Sequence, residues 1–139
     1  MKIYRSGLLR FDEAGQALYD SDGLLAVDFD AGGRERIVAV GGWQALRAQY
    51  LGRSDVELIE LPGRLLAPGF VDLHIHYPQT DVIGAPADGL LPWLENYTFP
   101  HEARFHERAY ADGVAGFFLD ELLRNGVTTA LTFAASHPA

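Results

Sequence analysis

Apolar and polar side chains alternate through most of residues 1–66, the spacing of half-buried strands. Ile3, Arg5, Gly7 and Leu9 interleave with Tyr4, Ser6 and Leu8, which predicts a first strand. The stretch DSDG at 20–23 predicts a turn. The segments LLAVDFD (24–30) and RERIVAV (34–40) flank a glycine-bearing loop and predict a hairpin. WQALRAQY (43–50) has the makings of a short helix, and VELIEL (56–61) alternates as another strand. No cluster of reactive side chains accompanies these elements. A small β-sandwich portion that packs and supports is the expectation for residues 1–66.

The pattern changes at LLAPGFVDLHIH (65–76). Pro68-Gly69 signals a turn, and residues 70–76 predict a strand. Alternation puts Phe70, Asp72, His74 and His76 on one face. Val71, Leu73 and Ile75 take the other, as if covered by helices. A long polar and aromatic stretch follows over 77–105, with four prolines and a predicted short helix at 90–97. A connection of that length usually serves function, as a lid or a pocket wall. Trp93, Tyr97 and Phe99 are expected to form its core.

Residues 107–124 predict a helix whose apolar stripe is Tyr110, Val114, Phe117, Phe118 and Leu122. Asn125-Gly126 supplies its stop signal, and the β-branched run VTTALTF (127–133) predicts a second strand. Strand, helix and strand in that order make a βαβ unit with parallel strands.

Composition narrows the chemistry. A hydrophobic share of 48% and a charged share of 22% are ordinary for a soluble globular protein. The formal net charge of −8 repels phosphate backbones, so nucleic acid is not an expected partner. No apolar run approaches the roughly 20 residues that span a bilayer, and MKIYRSGLLRFDEAGQ lacks a signal-peptide core. No membrane partner is expected, and the cytoplasm is the expected location. With no cysteine, any metal must be held by nitrogen and oxygen. The single lysine, Lys2, is remote in sequence from the histidines, so a lysine nucleophile beside them is not expected.

His74 and His76 stand two residues apart on one face of a strand, about 6.6 Å along its axis. Imidazoles so placed can lean onto one ion. A His-x-His alone is a weak signal, since hydrogen-bonded or exposed histidines are commoner. The strand end, the aliphatic reverse face and the βαβ setting favour a metal site. Asp72 is expected either to fix an imidazole or to serve as a structural acid. His101, His106 and His137 lack this setting and are expected on loops or the surface.

The string APGFVDLHIH resembles the first-strand signature of the amidohydrolase superfamily. HIHYPQT, LLPWLENYTFPHEARF, FFLDELLRNGVTTALTF and the closing His-Pro are similar to the guanine deaminase family within it. The resemblance runs over residues 65–138 and more loosely over the earlier part. It implies a fold in which the β-sandwich portion (1–66) precedes the first βαβ unit of an incomplete (β/α)8 TIM-type barrel (67–139). It implies that His74 and His76 bind Zn2+, with Fe2+ as an alternative, and that Gln79 contacts the purine while Tyr77 and Pro78 line the same pocket.

The implied reaction is hydrolytic deamination of guanine to xanthine and ammonia, in a homodimeric enzyme acting on a small-molecule purine. The family's further metal ligands, proton-shuttling carboxylate and purine-binding arginine match no residue here, so no catalytic group is assigned in this segment. The expectation is an N-terminal piece of a longer enzyme, inactive alone and prone to self-association through an open strand edge and an apolar helix face. Two alternatives stand beside it. One is an amidohydrolase acting on another aminated heterocycle or a cyclic amide. The other is a non-catalytic β-rich domain with an incidental His-x-His.

Overall fold

The computed structural model describes residues 1–137, and Pro138, where the resemblance ends, lies outside the described residues. The chain falls into two units, Met1–Pro68 and the part from Gly69 onward.

The first unit is one four-stranded sheet with a helix. Strands β1 (Lys2–Phe11), β2 (Ala17–Phe29), β3 (Glu35–Gly42) and β4 (Glu57–Leu66) lie in the order β3-β2-β1-β4, and α1 (Trp43–Tyr50) follows β3. β2 runs antiparallel to β1 and β3, whereas β4 runs parallel to β1. Ile3, Leu24, Ala26 and Trp43 form the buried cluster, and Leu46 and Tyr50 close over it. Trp43, Leu46 and Tyr50 share one side of α1 because residues three and seven apart coincide on a helix.

The alternation expected for the first strand holds only to Ser6. A bulge there shifts the register against both neighbours, and the buried set becomes Ile3, Ser6 and Leu8.

The turn expected at 20–23 is absent, and β2 runs straight through it. Its two aspartates are not solvated turn residues. Asp20 accepts from Arg10 Nε at 3.3 Å, and Asp22 accepts from Arg5 Nε at 2.7 Å and Nη2 at 3.0 Å. Gly23 serves close approach rather than turning, since a Cβ there would lie 2.5 Å from the Leu8 Cβ. The chain reverses earlier, where Asp12 Oδ1 accepts from the N–H groups of Ala14 and Gln16. Arg5 also reaches Glu60 on β4 at 3.0 Å and stacks over Trp43, so one guanidinium ties three strands to the helix.

The second unit is built on β5 (Phe70–His76) and β6 (Val127–Phe133), which pair in parallel. A 3₁₀ turn, Tyr77–Val82, leaves β5. The predicted short helix is longer than expected. It runs through α2 (Leu90–Trp93), a π turn (Leu94–Thr98), α3 (Phe99–Ala103) and a 3₁₀ turn (Arg104–His106). Pro100 follows inside the same helical path, where it gives the preceding turn no N–H, and the Phe99 N–H reaches back five residues to Leu94. Then α4 (Arg108–Arg124) ends at Asn125-Gly126, with Gly126 at φ +80° as its left-handed stop.

Burial in this unit centres on the turn after β5. Pro78, Val82, Thr98, Phe105, Val114 and Phe118 are buried. The aliphatic reverse face of β5 is less covered than expected. Ile75 is half-buried, but Val71 and Leu73 are exposed. Val114 and Phe118 are buried in α4, Phe118 packing against Tyr77, while Phe117 of the expected stripe is exposed. Trp93 and Tyr97 are half-buried and Phe99 is exposed, so the excursion's core is Thr98 and Phe105 instead. Among the described residues no helix is long and apolar enough to cross a membrane.

Two outcomes follow from the first unit. Gly23→Ala forces a methyl group against Leu8 and should destabilise by about 1–3 kcal/mol, read as a lower denaturant midpoint at unchanged slope. Asp22, held by the Arg5 guanidinium, and Asp30, held by the Arg34 backbone N–H and by Arg36, have carboxyls below the ordinary 3.8. Their stabilisation is present above that value and lost as pH falls through the lowered folded values. Thermal melts should therefore fall more steeply below about pH 4 in the wild type than in Asp22→Asn.

Candidate functional site

The C-terminal end of β5 gathers the reactive side chains of the second unit. Between Asp72 and Ile75 the register against β6 slips, three residues of β5 spanning two of β6. The His74 N–H is taken by Asp72 Oδ1 at 3.0 Å. Asp72 therefore acts on the backbone that carries His74, and not on an imidazole.

Beyond this irregularity the two rings converge. His74 Nε2 and His76 Nε2 are 3.1 Å apart, with ring planes inclined at 45°. Two imidazole nitrogens at that distance either share one ring hydrogen or bind one cation between them. Zinc–nitrogen bonds of about 2.0–2.1 Å in a tetrahedral site place two ligands about 3.3–3.4 Å apart, so the pair fits such an ion with little movement.

Phe133, the register partner of His76, stacks on that ring at 4.6 Å and 13°, and lies 4.8 Å from the His74 ring. It is the backstop that keeps both imidazoles turned the same way. Sequence reasoning passed over Phe133, although its place as the last residue of the second parallel strand was the available signal.

The turn after β5 is tied at several points. Thr80 Oγ1 donates to the Tyr77 carbonyl at 2.6 Å. Tyr77 packs edge-on against Phe105 and also meets Phe118, and Pro78 is fully buried. Both residues thus face the interior of the turn. Tyr110 on α4 donates to Asp81 Oδ2 at 2.5 Å, with the Arg104 guanidinium over its ring. Burial, and then Asp81, push the Tyr110 phenol above its ordinary value, so it stays a donor through neutral pH.

Gln79 is carried on this turn, half-buried. Its Nε2 lies 3.3 Å from His76 Nδ1 and donates to Glu102 Oε1 at 3.2 Å. Glu102 was not legible in the sequence, for it sits 23 residues from Gln79 inside an irregular helical path.

The other histidines stay apart from the pair. His101 and His106 turn Nδ1 back onto carbonyls of their own turns, those of Tyr97 and Ala103. His137 is exposed, and its Nε2 meets the Glu102 carbonyl at 3.0 Å. Among the described residues no third histidine, aspartate or glutamate joins His74 and His76 in a metal-holding group.

Known proteins match this chain in sequence and in fold. Guanine deaminase of Escherichia coli (strain K12) is 39% identical over 128 residues, covering 91% of this chain and 28% of that protein. A solved structure of E. coli guanine deaminase superposes with a TM-score of 0.85 at 34% identity, over 99% of this chain and 32% of that one. A crystal structure of guanine deaminase from C. acetobutylicum with guanine bound in its active site gives 0.79 at 31% identity, over 98% and 30%. The chain thus spans about a third of the length of these relatives. The model of the amidohydrolase family matches residues 65–139, more than half of the sequence, and the chain belongs to the amidohydrolase family.

Proposed function

We propose that this chain contributes the opening part of the active site of a guanine deaminase, which hydrolyses guanine to xanthine and ammonia. The observation that carries the reading is the 3.1 Å convergence of His74 and His76 at the C-terminal end of a parallel strand. In (β/α)8 enzymes that end of the strands holds the chemistry. On this reading residues 67–139 begin such a barrel with its first βαβ unit, and the sheet of residues 1–66 is a portion of a β-sandwich.

His74 and His76 are the residues that hold the metal. Zinc is the ion assigned, with ferrous iron as the other that this ligand chemistry accepts. A divalent cation held there supplies the acidity that makes water a nucleophile near neutral pH. Asp72 holds the backbone of one ligand, and Phe133 packs against both rings. Gln79 meets the purine, and Tyr77 and Pro78 wall the turn behind it. A small-molecule purine is the partner, taken by a cytoplasmic homodimer. No group of this segment is assigned the proton transfer to the leaving amine.

In the intact protein, His74→Ala and His76→Ala should each lower bound metal and cut guanine turnover by more than about a hundredfold. Metal analysis and a xanthine assay measure this. A variant keeping both metal and turnover would sink the reading, as would a preference for adenine, cytosine or 8-oxoguanine in a substrate panel. The purified 139-residue chain should show no guanine turnover, because two imidazoles fall short of the usual three protein ligands of a catalytic zinc.

A further inference from the structure

We propose that Glu102 is a positioning residue that decides which end of the Gln79 amide faces the ligand. The inference rests on the guanine deaminase reading above. A glutamine side chain has a donating and an accepting end of nearly identical shape, so its position alone does not set its polarity. An ionised carboxylate only accepts. With Glu102 Oε1 at 3.2 Å, the NH2 end is turned to Glu102 and the carbonyl end away from it. The Gln79 carbonyl oxygen has no hydrogen-bond partner among the described residues, which leaves it as an acceptor for a ligand.

The second neighbour pulls the other way. When a cation occupies His76 Nε2, the ring hydrogen sits on Nδ1 and asks the amide for its oxygen. A hydrogen bond from that ring N–H to the amide oxygen would be neutral, whereas the contact with Glu102 is charge-assisted and about twice as strong. Glu102 therefore prevails.

Its own placement is supported from two sides. It lies in α3, and its main-chain carbonyl accepts from His137 beyond β6. The consequence for specificity is that the ligand must bring an N–H to Gln79. Guanine does so from its N1–H, a donor that xanthine keeps although it has lost the 2-amino group.

The test uses the intact protein with Glu102→Gln, which keeps the shape but lets the amide at 79 turn either way. KM for guanine should rise at least about tenfold and xanthine binding weaken by the same factor, while kcat changes less than about threefold and bound metal stays level. Glu102→Asp keeps an accepting carboxylate behind the amide and should raise KM less than Glu102→Gln does. An unchanged KM in Glu102→Gln overturns the inference. So does loss of metal in step with activity, or a KM raised as far in Glu102→Asp as in Glu102→Gln. Wild-type protein inert toward guanine would instead overturn the reading beneath it, an outcome distinct from these.

Discussion

Two imidazoles held side by side lose water on their facing sides, and the scaffold must compensate for that. Here the constraint is the parallel pairing of β5 with β6, which ends on the pair His76 and Phe133. Parallel strands cannot be joined by a tight turn, so the pairing requires a crossover long enough to include a helix. Every other part of the second unit is a response to that requirement. The 3₁₀ turn takes the chain off the strand, the helical path carries it outward, and α4 brings it back to start β6.

The burial pattern agrees with this division of labour. The close packing sits under the turn that bears Gln79, while much of the strand surface is open. Pro78, Val82 and Phe118 hold the turn from below, and the Tyr110–Asp81 bond pins its far end. A polar side chain on such a turn keeps its direction because the backbone under it has few alternatives. Apolar groups lie exposed on the strands, at Val71, Leu73 and Leu131.

Much of this was readable beforehand, for definite reasons. The strand at 70–76, the helix ending at Asn125-Gly126 and the β-branched strand after it carry strong local signals, and all three lie where expected. DSDG misled because its aspartates find arginines across the sheet, a tertiary effect that local turn propensity does not include. The convergence of His74 and His76 was legible from their spacing, but the role of Asp72 was not. It depends on a register slip that no alternation pattern records. Glu102 was hidden for a related reason. Its alignment with Gln79 is set by the path of an irregular helix and not by any period.

That path contains one π turn. Each residue of an α-helix advances the rotation by about 100°, and a π turn lodges one surplus residue without a matching advance along the axis. The turn at Leu94–Thr98 therefore takes up that residue locally and leaves the helical segments on either side in phase. A lineage that trimmed this single position would keep a helix of almost the same length. The carboxylate of Glu102 would keep its bearing on Gln79. A one-residue change in length at this turn is therefore absorbed without disturbing the side chains beyond it.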